Sequence, residues 1–243
     1  MQLSDNIKDT YSNQYNSESV EWRNMGARYK AQNIVELSKN ISFKNVLEVG
    51  AGEGSILNWL SKWDFSDDLN CVEISESGIG MIRQKNIPKL NDILLFDGYK
   101  IPYPDNHFDL VICSHVMEHV EHERMLLREI KRVSKYQIFE VPIDFSFYVD
   151  KKLKHFLAYG HINIYTPGLF RFMLLSENFE VMKDKCSLFA DEVLTPIYKN
   201  NKKGFYLTKI KHFILKNVPY LLGIKPNAYT VLTRKSDQEL TIF

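Results

Sequence analysis

Val46-Leu47-Glu48-Val49-Gly50-Ala51-Gly52-Glu53-Gly54 is an apolar run that breaks into three glycines spaced by single residues. A strand that stops abruptly, turns and starts a helix against a ligand needs backbone angles and close approach that glycine permits. Further on, Cys71-Val72-Glu73-Ile74 is a second apolar run, and its carboxylate falls at the strand tip. That position is where a nucleoside ribose presents its two hydroxyls. The pair of features predicts a nucleoside-cofactor site.

Composition bounds the rest. A chain of 243 residues predicts one domain with embellishments, and 44% hydrophobic content suits a packed core. Formal net charge +1 gives no bulk attraction to nucleic acid or anionic lipid. Cys71, Cys113 and Cys186 are scattered beside apolar runs, without the spacing of a zinc site or a disulfide frame. They read as reduced, buried thiols. The polar start Met1-Gln2-Leu3-Ser4 lacks a signal-peptide core, and no stretch approaches the ~18 apolar residues of a membrane span. These features predict a cytoplasmic protein.

Elements alternate along the chain. Helical spacing over 25–39 leads to a strand at 45–50, a helix at 55–62, a strand at 69–73 and a helix over 75–85 capped by Ser75. Strands follow at 92–96 and 108–114, the second a continuous apolar run of the kind buried in parallel sheets. A helix carrying Leu126, Leu127, Ile130 and Val133 on one face precedes a strand over 136–141. Pro167 opens a helix to Ser176, and strands are expected at 179–186 and 229–233. The alternation predicts an α/β fold, a doubly wound sheet. The expected organisation is a cap over 1–40, a core over 40–186 with an acceptor-pocket insertion at 142–165, a basic-aromatic insertion at 187–227, and a last strand at 228–234.

The third glycine, Gly54, falls one position early for a nicotinamide loop, and Ser55 takes its place. Phe96-Asp97-Gly98 and then Ile101-Pro102-Tyr103-Pro104-Asp105-Asn106-His107-Phe108-Asp109-Leu110-Val111 follow in order. This series resembles the class I S-adenosylmethionine-dependent methyltransferases, notably their type-11 branch. The resemblance covers roughly residues 40–185, and Ala228 to Arg234 match the final strand. It implies a Rossmann-like, seven-stranded, mostly parallel sheet with an antiparallel last strand and helices on both faces. It also implies S-adenosylmethionine as cofactor. The implied contacts are Glu48, Gly50, Ala51 and Gly52 on the methionine side and Glu73 and Ile74 at the ribose. Asp97 and Gly98 would flank adenine, and Ser114 would stand near the transfer site.

The sulfonium methyl is already electrophilic, so the protein mainly aligns a nucleophile and removes its proton. Orientation alone is worth roughly 7–11 kcal/mol in favourable systems. A hydroxyl acceptor also needs a base or a Lewis acid. His115-Val116-Met117-Glu118-His119 supplies candidates, since a helical turn there would put His115, Glu118 and His119 on one face. Two imidazoles and a carboxylate can also bind a divalent metal such as Mg or Mn. The segment resembles the Glu-x-x-Glu-His metal motif of ubiquinone-biosynthesis O-methyltransferases and of small-RNA 3′-end 2′-O-methyltransferases, with His115 replacing the first Glu. The RNA enzymes add a distant histidine, a place that His161 would fill here. Metal-free type-11 proteins carry a similar segment, so His115, His119 and His161 stand equally as catalytic hydrogen-bonding groups. His122 reads as solvated, and His107, in the Asp-Asn-His-Phe turn, as a loop residue.

Tyr11, Tyr15, Trp22, Arg23 and Arg28 make the N-terminus aromatic and basic. In the resembling family an N-terminal helix folds over the cofactor, which implies that Arg28 or Arg23 meets the methionine carboxylate. No Asp or Glu occurs between Glu192 and Asp237, whereas lysines and aromatic residues interleave there. That segment reads as a packed insertion with solvated lysines, a cap over an anionic substrate, or a peripheral membrane contact through 205–222. Long basic stripes are otherwise missing, which disfavours RNA and DNA partners. By family analogy the acceptor is a sugar hydroxyl, on an activated sugar or a surface polysaccharide such as a capsule. Two alternatives stand beside it. One is a quinone or catechol O-methyltransferase, with Phe145, Phe147, Tyr148 and Phe156 lining an apolar pocket. The other is a non-catalytic cofactor-binding partner domain.

Overall fold

Strands that are apolar along their whole length need cover on both faces. A computed structural model, which describes residues 20–145 and 149–236, shows how the chain provides it. Seven strands form one sheet: β1 (Asn45–Val49), β2 (Asp68–Glu73), β3 (Leu90–Leu95), β4 (Phe108–Ser114), β5 (Ser134–Pro142), β6 (Phe179–Ser187) and β7 (Ala228–Lys235). Their order is β3-β2-β1-β4-β5-β7-β6. Neighbours from β3 to β5 pair in parallel, and β7 runs antiparallel to both β5 and β6. This is the Rossmann-like sheet with an antiparallel last strand. The strand order reverses between β1 and β4, so ligand binding is expected at their carboxyl ends.

The helices are α1 (Val20–Leu37), α2 (Ser55–Lys62), α3 (Glu76–Gln84), α4 (Glu123–Val133), α5 (Leu153–Ala158), α6 (Pro167–Ser176), α7 (Asp191–Ile197), α8 (Lys202–Asn217) and α9 (Pro219–Ile224). Ser75 caps α3 as expected, its hydroxyl accepting from the Gly78 N–H. Thr166 caps α6, where Pro167 sits in the first turn. Strand periodicity sorts the core into two layers. Leu47, Val49, Val111 and Cys113 join Leu126, Leu127 and Ile130 of α4 on one face. Val46, Leu110, Ile112 and Ile138 join Ala27, Ala31 and Ile34 of α1 and Leu57 and Leu60 of α2 on the other. Each fully buried aliphatic side chain contributes about 1.5–3 kcal/mol, so both layers matter to stability.

Several boundaries differ from expectation. Within the described residues helix α1 spans Val20–Leu37, and β5 extends from Ser134 through Pro142, which pairs with Ala228 at the strand end. The irregular stretch after β5 contains α5, and the basic insertion folds as α7, α8 and α9. Cys71 and Cys113 are buried thiols, and Cys186 is half-buried. Among the described residues, no helix is long and apolar enough to cross a membrane. Tyr11, Tyr15, Phe147, Tyr148 and the side chain of Trp22 lie outside the described residues.

Candidate active site

The glycine loop is held from two sides. Gly50 has φ +70°, a left-handed angle, and a Cβ there would meet Val116 Cγ2 at 2.5 Å. Glu73, at the end of β2, accepts from the N–H groups of Gly52 (2.7 Å), Ile74 (2.9 Å) and Ser75 (3.0 Å). One carboxylate thus organises both the loop and the next turn. Burial pushes the Glu73 carboxyl up while these three donors hold it down, and burial prevails. Ala51 is buried between them. Asp97 accepts from the N–H groups of Tyr99 and Lys100 at 2.9 and 2.7 Å, and the adjacent Gly98 has φ +94°. These residues lie where the sequence places a nucleoside cofactor. A cavity of about 620 Å³ is lined by Asp97, Tyr99, Tyr103, Met125 and Arg132, and none of the histidines lines it.

The other half of the site is assembled by backbone bonds across long sequence separations. His115, the residue after β4, adopts φ +56°, and its N–H donates to the Glu140 carbonyl at 2.8 Å. A single 3-10 turn, Met117–His119, follows instead of the α-helical turn expected. Ile162 and Asn163 donate their N–H groups to the Glu118 carbonyl, and the Asn163 side chain bridges to the carbonyls of Met117 and Val120. These bonds staple segment 160–165 onto the turn. They bring His161 against His119, with ring centroids 4.9 Å apart.

The result revises the expected quartet. Glu118, His119 and His161 can offer ligand atoms all within 4.8 Å of one another, and His115 is not part of that group. Its left-handed backbone turns it elsewhere. His115 Nδ1 stands 3.3 Å from Glu118 Oε1, and Nε2 stands 3.4 Å from Glu140 Oε1. Burial and Lys30 act to lower the His115 pKa, but the two carboxylates outweigh them and raise it. It links the two acids Glu118 and Glu140.

His119 Nδ1 lies 2.9 Å from the Gly160 carbonyl, and His161 Nδ1 lies 2.6 Å from Asp144 Oδ2. A carbonyl can only accept, so His119 Nδ1 donates to Gly160 and its Nε2 is turned away from that bond, and the Asp144 carboxyl orients the His161 ring in the same way. Burial lowers the His119 pKa, which keeps that ring neutral. Glu118 is 1% exposed, and neither of its oxygens makes a well-formed hydrogen bond among the described residues. Its Oε1 instead stands 3.7 Å from His119 Nε2. Buried polar atoms without partners also occur at Glu48 Oε2 and Ser114 Oγ. Burial pushes the Glu48 carboxyl up to about 8.

Helix α1 closes this end of the sheet, but not through the arginine expected. Arg28 is exposed and lies over the Trp59 ring at 5.6 Å, on α2. Arg23 pairs with Glu53 of the glycine loop at 3.0 Å. The α1 residues that reach the site are Asn33, which donates to Glu140 Oε2 at 3.0 Å, and Lys30. Burial lowers the Lys30 pKa, and Glu140, Glu118 and Glu48 are the acids that act on it. Glu140, Lys30, Asn33, Asp144 and Gly78 escaped the sequence reading. Glu140 did leave a signal, a carboxylate inside the apolar run Ile138-Phe139-Glu140-Val141 of a central strand. Gly78 presses on the loop, since a Cβ there would meet the Gly52 carbonyl oxygen at 2.6 Å.

Residues 47–137 match a family described as a methyltransferase domain. Over 114 residues the chain is 31% identical to the ubiquinone/menaquinone biosynthesis C-methyltransferase UbiE of Burkholderia cenocepacia, which is 46% of each chain. The Paraburkholderia phymatum protein of the same name is 30% identical over 110 residues, 44% of this chain and 45% of that one. The chain therefore spans about half the length of the curated relatives it matches. Among solved structures, an S-adenosylmethionine-dependent methyltransferase from Mesorhizobium loti superposes with TM-score 0.60 at 16% identity, covering 86% of this chain and 98% of that one. The 4+2 cyclase SpnF superposes with TM-score 0.61 at 15% identity, covering 86% and 81%. At those identities the likeness establishes the fold alone, and SpnF illustrates that the fold hosts other chemistry. The family match over residues 47–137 and the shared fold make the chain similar to S-adenosylmethionine-dependent methyltransferases. Over that segment the chain resembles UbiE.

Proposed function

We propose that this chain transfers the methyl group of S-adenosylmethionine to an acceptor hydroxyl, a sugar hydroxyl first among acceptors. The observation that carries the hydroxyl reading is the Asp144–His161 pair beside Glu118 and His119. When bound, the cofactor supplies an electrophilic methyl group. The unpartnered Glu48 Oε2 and Ser114 Oγ and the glycine cradle under Val116 suit a polar, cationic ligand at this edge. Glu73 and Asp97 would orient its ribose and adenine. Near the acceptor, His161 Nε2 takes the hydroxyl proton while Asp144 holds the ring and stabilises the imidazolium formed.

Glu118, His119 and His161 also suit a divalent metal: one buried carboxylate and two imidazoles whose Nδ1–H groups are already engaged. Such an ion would lower the acceptor hydroxyl's pKa, and a vicinal diol could chelate it. Incubating the chain with labelled cofactor and panels of sugar nucleotides and phenols, with and without EDTA, tests the proposal. Methylation of a sugar hydroxyl is expected, and methyl transfer confined to phenols or quinones would overturn the sugar assignment. The second reading, a quinone or catechol acceptor, is favoured by the similarity to UbiE. Against a non-catalytic partner domain, Glu48, Gly50, Gly52, Glu73 and Asp97 are all present.

A further inference from the structure

We propose that the outward face of α8, continued by α9, docks this protein on an anionic lipid bilayer. Helix α8 has one face buried against the protein and an apolar stripe on the opposite, exposed side. At 100° per residue, Thr208, His212 and Leu215 share the face that packs inward, where His212 and Leu215 are buried. Tyr206, Leu207, Ile210, Phe213 and Ile214 form a stripe on the opposite side, all exposed, Phe213 at 69%. Tyr220 of α9 adds a ring that is 78% exposed. A helix with one buried and one solvated face would carry polar residues at these positions.

Charge identifies the occupant. Lys202, Lys209 and Lys216, seven residues apart, run along one edge of the stripe, and Lys211 flanks the other. Lys209 is paired with Asp191 of α7 at 2.8 Å, which anchors α8 without neutralising the rest of the row. No acidic residue occurs from 193 to 236. A second copy meeting this face about a two-fold axis would set lysine rows against each other. An anionic lipid surface instead accepts the apolar stripe among its acyl chains and the flanking lysines among its headgroups. The docking surface also adjoins the acceptor side of the site, because Lys225, just after α9, donates to the carbonyl of Phe145, next to Asp144.

The full chain is to be sedimented with vesicles of phosphatidylcholine alone and with about 30 mol% phosphatidylglycerol. Retention on the anionic vesicles at least about tenfold above the neutral ones is expected, lost in about 0.5 M NaCl. Both Ile210→Glu with Phe213→Glu, and Gln at Lys202, Lys211 and Lys216, are expected to reduce retention to the neutral level. Unchanged adenosylhomocysteine binding and melting temperature show that these variants are folded. Equal retention on both vesicle types, or retention unaffected by Phe213→Glu, would overturn the proposal. So would a dimer in light scattering that Phe213→Glu dissociates, since the face would then join two copies. None of these outcomes depends on which acceptor is methylated.

Discussion

Asp144 Oδ2 accepts a 2.6 Å hydrogen bond from His161 Nδ1, across 17 residues of chain that include α5. The bond fixes the ring's tautomer and leaves Nε2 as the basic atom beside Glu118 and His119. His161→Ala should therefore lower kcat by about 10²-fold or more. Asp144→Asn should lower it about tenfold to a hundredfold, because an amide cannot stabilise the imidazolium. Adenosylhomocysteine affinity, measured by calorimetry, should stay unchanged in both. A parallel loss of affinity would mean that the pair shapes the fold and not the chemistry.

On the proposed function, Glu48 should make cofactor binding pH-dependent. Burial lifts its carboxyl from 4.5 to about 8, so the folded protein holds a proton there near neutrality. A cationic ligand favours the ionised form, so uptake should release a proton and affinity should climb as pH rises toward about 8. Calorimetry in two buffers of different ionisation enthalpy should show a buffer-dependent heat that Glu48→Gln removes. The sign for stability is opposite. Between 4.5 and about 8 the folded state binds the extra proton, so this contribution is full below that window and is lost as pH rises through it.

Two glycines of α3 separate space from flexibility. Gly78→Ala would drive a Cβ to 2.6 Å from the Gly52 carbonyl oxygen, whereas Gly80 has nothing within 4 Å. The first change should displace the cofactor loop, cutting adenosylhomocysteine affinity at least about tenfold and stability by about 1–3 kcal/mol. Gly80→Ala should stabilise the helix by up to about 1 kcal/mol. Thermal melts and calorimetry on the two variants measure the contrast.

Glu140 is the acid that joins α1 to the sheet. It receives the Asn33 amide at 3.0 Å and the Thr230 hydroxyl at 2.6 Å, and it faces His115. Burial raises the Glu140 pKa, but His115, Lys30 and Thr230 outweigh it and bring the carboxyl down. Glu140→Ala should cost about 3 kcal/mol in urea unfolding, because His115, Asn33 and Thr230 all lose their partner. Thr230→Val should cost about 1 kcal/mol, the value of a single hydrogen bond.

Much of the sheet was legible because its signals are local. The unbroken run Phe108–Ser114 fixed β4 to the residue, and Pro167 behind Thr166 marked the start of α6. The glycine loop and the acids at 73 and 97 were legible for the same reason. What escaped depends on distance or on backbone angles that side-chain identity does not encode. A left-handed His115 is uncommon for a residue with a Cβ, and it turns an expected four-residue cluster into a three-residue one plus an ion-pair bridge. Lys30 and Arg28 look alike in a polar helix, and only packing shows which of them turns toward the acids. Gly78 reads as a weak helix residue until the Gly52 carbonyl is found against it.

The account is tested most directly by a crystal structure grown with adenosylhomocysteine and Mn²⁺. It predicts ribose hydroxyls on Glu73, adenine beside Asp97 and Gly98, and anomalous density among Glu118, His119 and His161. Adenosylhomocysteine bound away from Glu73 would contradict the central claim. Manganese missing from the histidines, with the nucleoside in place, would contradict the metal and leave His161 as the base.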